Sequence, residues 1–346
     1  MKKTLILLSG IFILVACNKK NEQHQEEVIL KTKKKIDFER FETARVVNKT
    51  TDVPFVVYAK DSLLNLYTRP NENAVFIQQT LTEKDTLYGE TEVSNFYKII
   101  YQVEQNPENS RYAYVLKSDV NKDNELLLTE KDSLNEIKSA KINGIYSEST
   151  TFDAIGNVEL INKSAYNEAF KNHPQYLLVS NNRPVSDENF FSIKLRNGSL
   201  KKVSKKSKNE EITLEYAGYS RDLDRHFFRE FYLGTPRQYK AVSTINENIE
   251  DKYFADVPVY YKTNHLLASL SNNDTGTLLV IEKYNPQDYS FKELLAVNFT
   301  NFKVSTSKNL IWENSQTLLA EIHHPNTRTT SKNYKKQYIR IHISGI

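Results

Sequence analysis

Few residues of this chain could carry out chemistry, and their spacing argues against several kinds of enzyme. No His-Glu-x-x-His motif, no Gly-x-Ser-x-Gly elbow and no Gly-rich phosphate loop occurs in the 346 residues. His323 and His324 are adjacent, so on a strand their rings would point to opposite faces and could not share a metal ion. Because Pro325-Asn326 marks a turn there, we expect this pair in an exposed loop. We expect no metal and no cofactor.

Carboxylates are the remaining groups that could act as general acid and base. Asp222 and Asp224 lie between Arg221 and Arg225, which predicts a hairpin turn with local ion pairs. A calcium loop is not favoured, because it needs about six or more oxygen ligands. A carboxylate-dependent hydrolase would draw on dispersed residues such as Asp222, Glu230 and Asp256, since the fold and not local spacing assembles an acid–base pair.

The N-terminus holds the strongest signal in the sequence. Lys2 and Lys3 precede an apolar stretch at residues 5–15, and the only cysteine, Cys17, follows Leu14-Val15-Ala16. About ten apolar residues fall short of the ~20 that a membrane-spanning helix needs, so the stretch is typical of a signal peptide. The segment resembles the signal of bacterial lipoproteins. That resemblance implies cleavage after residues 1–16 and attachment of a diacylglyceryl group to the sulfur of Cys17.

The predicted lipid determines where the protein resides and which chemistry it lacks. Asn18, not Asp, follows Cys17, so the resemblance favours the outer membrane over the inner membrane of the cell envelope. Once Cys17 is acylated no thiol remains, which excludes cysteine-dependent catalysis. Residues 17–50 are strongly charged, and we interpret them as a tether. The net charge of +4 does not indicate a nucleic-acid partner.

Short aromatic and β-branched segments separated by polar turns predict a mainly β protein. Residues 51–122 resemble the bacterial SH3-like domain family through Asn65-Leu66-Tyr67-Thr68-Arg69-Pro70, Phe96-Tyr97-Lys98-Ile99 and Ala113-Tyr114-Val115, although Tyr114 and Ala113 replace the usual Trp and Gly. The resemblance implies a small barrel whose aromatic residues can line a groove for peptidoglycan peptides or protein tails. The candidate ligand-binding residues are Tyr67, Phe96, Tyr112 and Tyr114. The alternative is that these rings pack in the barrel core.

The rest of the chain predicts a linker at residues 123–143 and a β-rich domain at residues 144–346. Lys163 to His173 is the best helix candidate beyond the signal, and Pro174 ends it. Around ten short strands predict an antiparallel sandwich or an incomplete propeller-like sheet array. Val257 to Leu270 resembles a β-propeller blade hairpin, and Leu310 to Ala320 has the same pattern, with Trp312 packing the blade.

One basic loop of the β-rich domain has two interpretations. It contains Lys201, Lys202, Lys205, Lys206 and Lys208. We expect either a solvated hairpin tip or a contact patch for an acidic partner or an anionic glycan.

Together these features predict a non-catalytic, lipid-anchored envelope protein. It would contact the membrane through the lipid on Cys17 and bind peptidoglycan or an envelope protein. Two alternatives stay open. One is an immunity lipoprotein that blocks a secreted toxin, and the other is the carboxylate-dependent hydrolase.

Overall fold

The computed structural model of the chain is built from antiparallel sheets. It describes residues 38–81, 85–129, 132–172, 177, 182–207, 211–273, 276–305, 309–328 and 333–344. Strands make up 54% of the structure, and the one α-helix in these ranges is α1, Lys163–Asn172. The mainly β prediction is therefore confirmed. The signal at residues 1–16, Cys17, most of the predicted tether and Lys208 lie outside the described residues.

The chain divides into two compact units between Glu125 and Leu126. The strands of the first unit are β1 (Phe55–Ala59), β2 (Leu63–Tyr67), β3 (Phe76–Thr80), β4 (Leu87–Val93), β5 (Phe96–Gln102), β6 (Ser110–Leu116) and β7 (Val120–Lys122). Those of the second unit, as far as the structure describes it, are β8 (Ile137–Ile142), β9 (Ile145–Ser147), β10 (Gly156–Ile161), β11 (Val185–Ser186), β12 (Phe190–Lys194), β13 (Leu200–Ser204), β14 (Ile212–Ser220), β15 (Arg225–Tyr232), β16 (Thr235–Ser243), β17 (Lys252–Phe254), β18 (Val259–Tyr261), β19 (Leu266–Asn273), β20 (Gly276–Asn285), β21 (Ser290–Phe299), β22 (Lys303–Val304), β23 (Leu310–Asn314), β24 (Thr317–His323) and β25 (Gln337–Ile343).

The first unit is a single antiparallel sheet in the order β3-β2-β6-β5-β4-β1-β7. One of its faces buries a core of aliphatic side chains that includes Leu66, Ile99 and Val115. The predicted barrel is not closed, because β3 pairs only with β2 and β7 only with β1 among the described strands. The β2–β3 hairpin leaves the sheet open. Its strand β2 meets β6 through the single pair Tyr67–Tyr114, and β3 then extends the sheet outward instead of reaching β7.

Gly89 shows how tightly the core face of this sheet is packed. It lies opposite Phe55 in the pairing of β4 with β1. A Cβ atom at this position would come within 2.1 Å of the Phe55 ring. Only glycine lets that ring lie over the β4 backbone without displacing it.

The second unit contains four antiparallel sheets that follow one another along the chain. They are β11–β13, then β14–β17, then β18–β21 extended by β8 and β9, and finally β22–β25 with β10 at its edge. The range predicted as a linker, residues 123–143, therefore contains strand β8, which pairs with β21. The expected blade hairpin at residues 257–270 corresponds to the paired strands β18 and β19.

Each sheet of the second unit packs on the next one in chain order. A hydrophobic cluster lies between each pair of neighbouring sheets. In chain order, these clusters include Phe191 with Phe228, Phe227 with Tyr284, and Leu270 with Trp312. The far face of the last sheet is covered by α1, where the Tyr166 ring lies 4.6 Å from that of Tyr338. This stack of sheets fits the predicted sandwich or incomplete propeller-like domain.

Two buried polar contacts join the second and third sheets of the stack. Arg225, 2% exposed, donates to the carbonyl oxygens of Ala241, Glu250 and Tyr289 at 3.0, 2.9 and 3.3 Å. Lys252 of β17 forms an ion pair with the buried Glu282 of β20. Because buried charges are tolerated only when they are paired or hydrogen-bonded, these contacts fix how the two sheets meet.

Candidate ligand-binding surface

The four predicted aromatic residues lie on the sheet face of the first unit that points away from its main core. Cross-strand pairing places Tyr67 beside Tyr114, and Lys98 beside Tyr114. Side chains alternate between the two faces of a strand, so Phe96, Lys98, Tyr112 and Tyr114 share this face. Their neighbours in sequence, such as Tyr97 and Val115, point into the core.

Three rings of this face form a continuous contact series. The Tyr67 ring lies 5.5 Å from that of Phe96 in an edge-to-face arrangement, and 5.4 Å from that of Phe76. Such pairs contribute about 0.5–1.5 kcal/mol beyond their buried area. Tyr67 and Phe96 are 5% and 4% exposed, whereas Phe76 is 47% exposed. We call Tyr67, Phe76, Phe96 and the half-buried Tyr114 the aromatic surface.

Tyr112, the fourth predicted residue, belongs to a neighbouring site on the same face. Its ring packs beside a small cluster that contains Val47, Val53 and Ile100. The Lys98 ammonium lies 3.8 Å from the ring centroid, which is a cation–π contact, and 3.9 Å from the Glu42 carboxylate. Tyr112 therefore supports Lys98 and stands apart from the aromatic surface.

Sequence reasoning missed Phe76, the most exposed ring of the aromatic surface. It opens β3 directly before the buried Ile77. The available signal was the apolar run Val75-Phe76-Ile77, since adjacent side chains of a strand point to opposite faces and one of them must face away from the core. Val75, directly before it, is 47% exposed, and Leu63, opposite Thr80 at the other end of β3, is 50% exposed. The edge of the sheet at β3 thus presents several apolar side chains to solvent.

A polar groove of about 450 Å³ lies elsewhere in the first unit. Its lining includes Tyr88, Tyr101, Asp85 and Glu104. Burial raises the pKa of Tyr101, and the carboxylates of Asp85 and Glu104 raise that pKa further. The groove therefore carries negative potential and would favour a cationic group over an anionic one.

The structure does not gather the three carboxylates of the hydrolase hypothesis into one site. Asp222 lies in the β14–β15 turn and pairs with Lys262 at 2.9 Å. Glu230 is 6% exposed and lies five residues beyond Arg225 on β15. Five residues of extended strand span ~17 Å, so Glu230 is far from the turn that holds Asp222. A glycosidase pair lies within about 10 Å. The Asp256 carboxylate raises the pKa of Tyr239 and therefore lies near that ring. Tyr239 is paired with Arg229, and side chains alternate along a strand, so Tyr239 and Glu230 point to opposite faces of the sheet.

The histidine predictions need correction. His323 was expected in an exposed loop, yet it ends β24 and is fully buried. Its Nδ1 lies 3.0 Å from the carbonyl oxygen of His324, and burial lowers its pKa. His226 is buried as well, with 3% of its surface exposed in β15. The rings of Tyr216 and Tyr219 lie against His226, and the ring of Tyr334 lies against His323.

The described residues contain neither a metal-type cluster nor a membrane-spanning helix. No group of three or more His, Cys, Asp or Glu side chains within them is placed to hold a metal ion. No helix among them is long and apolar enough to cross a membrane.

Comparisons with known proteins add little to this geometry. No protein-family model and no curated protein matches the chain. The chain is similar to a protein from Lactobacillus plantarum of known crystal structure, with 11% identity, coverage of 78% of this chain and 76% of that chain, and a TM-score of 0.21. A TM-score this low carries no argument about fold or function.

Proposed function

We propose that this protein is a lipid-anchored component of the bacterial cell envelope that binds a peptide-bearing ligand without catalysing a reaction. The ligand is either peptidoglycan or an envelope protein. The observation that carries the binding role is the aromatic surface, where the exposed Phe76 lies against the buried Tyr67. A rigid ring supported from behind supplies contact area at a low entropy cost.

The geometry of the aromatic surface suits an extended peptide. Strand β3 lies at the edge of its sheet and pairs only with β2 among the described strands. Its outer edge can therefore accept main-chain hydrogen bonds from an added strand, while Phe76 and Val75 contact apolar side chains of the ligand.

The assignment of residues 51–122 to an SH3-like module is part of this proposal. It is supported by the quoted motifs and by the strand order of the first unit, in which β7, β1, β4, β5 and β6 are neighbours in that sequence. The assignment adds the expectation that ligand contacts are concentrated in this unit. Single substitutions on the aromatic surface test this expectation, and the second unit need not be deleted.

The anchoring part is tested by the mass of the mature protein and its location in the cell. We expect the chain in the membrane fraction, with a mass that begins at Cys17 and includes a diacylglyceryl group. The variant Cys17→Ser should leave the membrane fraction and lose the added mass. An unacylated wild-type chain that retains residues 1–16 would contradict the anchoring proposal.

The binding part is tested by sedimentation with purified peptidoglycan and by capture of envelope proteins. A chain that begins at Asn18 and so carries no lipid is compared with its Phe76→Ser variant and with the matched control Phe170→Ser, whose ring is 43% exposed on α1. We expect ligand binding to fall at least about ten-fold in the first variant, since a central aromatic contact contributes about 2 kcal/mol. The control should bind like wild type. Equal binding by all three proteins would refute the role of the aromatic surface.

A further inference from the structure

The first sheet of the second unit, β11–β13, has one face that no described residue covers. Its inner face packs on β14–β17 through Phe191, Ile193 and Val203. Alternation places Val185, Phe190 and Ser192 on the opposite side, together with Lys194, Leu200 and Lys202. We call these six residues the outer face.

The outer face lies in the most positively charged part of the described chain. Residues 182–207 contain seven Lys or Arg and two acidic residues, a net charge of +5, whereas the whole chain carries only +4. Some of these charges are already used, since Lys201 pairs with Asp251 and the Lys205 ammonium donates to the carbonyl oxygen of Asp187. Lys194 and Lys202 form no ion pair within 4 Å with another described residue, and Lys202 only contributes at longer range to the lowered pKa of the Asp187 carboxyl. Their ammonium groups are therefore available to an anionic partner.

Exposed aliphatic side chains accompany these two lysines. Val185 is 77% exposed and Leu200 is 60% exposed. In the strand pairing Leu200 is directly opposite Lys194, while Val185 and Lys202 both pair with Ser192. Leu200 thus stands beside Lys194, whereas Val185 and Lys202 lie on either side of Ser192, two strands apart on the same face. Phe190, with the Lys202 ammonium 5.5 Å from its ring centroid, completes the face.

We propose that the outer face docks on an anionic lipid surface. Lysines at a membrane surface are attracted to anionic head groups, while neighbouring apolar side chains insert at the boundary with the acyl chains. A second copy of this chain is disfavoured as the occupant, because two faces of the same positive charge repel each other. A soluble acidic protein would need the lysines but gives no reason for two bare aliphatic side chains on the same face.

This contact is separate from the predicted lipid on Cys17 and does not depend on it. A chain without its acyl group should still bind anionic vesicles weakly. When the chain is anchored, the tether raises the effective concentration of the domain at the membrane, so that a weak contact is populated. The second unit would then lie against the lipid surface through its first sheet.

The test is co-sedimentation of an acyl-free chain that begins at Asn18 with vesicles. Phosphatidylcholine vesicles that contain one third phosphatidylglycerol are compared with pure phosphatidylcholine vesicles and with soluble polyglutamate. We expect binding to the phosphatidylglycerol vesicles alone, and weaker binding at high salt, where exposed charges are screened. Equal binding to both kinds of vesicle would overturn the proposal, and so would binding to polyglutamate without binding to vesicles.

Two double substitutions separate the charged and the apolar contributions. Lys194→Gln with Lys202→Gln should lower the partition coefficient about 25-fold, since each lysine contributes roughly a factor of five. Val185→Ser with Leu200→Ser should lower it about ten-fold or more. Trp312 fluorescence checks that each variant remains folded, since this only tryptophan of the chain is fully buried in the second unit.

Matched controls remove the same groups elsewhere in the second unit. Lys138→Gln with Lys171→Gln removes two exposed lysines, and Ile145→Ser with Leu233→Ser removes two aliphatic side chains that are 74% and 70% exposed. Both controls should bind vesicles like wild type. A serine variant of the outer face that binds as tightly as wild type would refute lipid insertion. Because the chain is acyl-free throughout, the outcome is independent of whether Cys17 is acylated.

Discussion

The buried His226 predicts a loss of stability at mildly acidic pH. The ring is 3% exposed on β15, and burial lowers its pKa from 6.5 to about 4. Between these two values the unfolded chain binds a proton that the folded chain does not. Unfolding is therefore favoured as the pH falls through 6.5, and the loss is complete near pH 4. The gap of about 2.5 pKa units corresponds to a loss of roughly 3 kcal/mol.

Urea unfolding followed by Trp312 fluorescence measures this loss, because that ring lies in the core of the same unit. The midpoint of wild type should fall between pH 7 and pH 4.5 by clearly more than that of His226→Gln. His323 is also buried with a lowered pKa and acts in the same direction, so the difference between the two proteins isolates His226. The control His342→Gln, at an exposed position, should follow wild type. An unchanged pH dependence in His226→Gln would refute the reasoning.

Three further substitutions test the packing directly. Arg225→Met leaves three carbonyl oxygens without their donor and should lower the free energy of unfolding by about 3 kcal/mol, measured by urea unfolding at pH 7. Gly89→Ala forces the Phe55 ring aside and should cost about 1–3 kcal/mol, measured by thermal unfolding of the first unit. Phe76→Ser should cost less than about 1 kcal/mol, because its ring is already 47% exposed, so any loss of ligand binding is not caused by unfolding.

Most strands could be predicted where the sequence alternates. Ile339 to Ile343 alternates apolar and polar residues and lies within β25, and the pattern from Val257 to Leu270 gives the hairpin of β18 and β19. The helix predicted from Lys163 is α1. These elements follow from local periodicity, which the surrounding fold reinforces.

Other elements depend on distant partners and could not be read from local pattern. Strand β8 was missed because Lys138 and Lys141 make the segment look like a polar connector, whereas its pairing with β21 buries Ile137 and Ala140. The open edge at β3 also depends on a distant partner. Because β2 pairs with β6, far along the chain, β3 is left as the last of the described strands on that side of the sheet.

The burial of polar residues was equally hidden from the sequence. Arg225 lies in a run of charges that predicts a hairpin turn with local ion pairs, but the next sheet covers it and supplies one of its acceptors at Tyr289. His323 is covered in part by the Tyr334 ring, which the connection between β24 and β25 brings against it. The aromatic surface was predicted in part, since Tyr67, Phe96 and Tyr114 were named while the exposed Phe76 was not.

Photocrosslinking in living cells tests the central claim most directly. A photoreactive phenylalanine analogue replaces Phe76 in the full chain, and the same analogue at Phe170 serves as the control. We predict a product at position 76 that contains a peptidoglycan fragment or a single envelope protein, and no such product at position 170. Identical products at both positions, or no product at position 76, would contradict the claim that the aromatic surface binds the ligand.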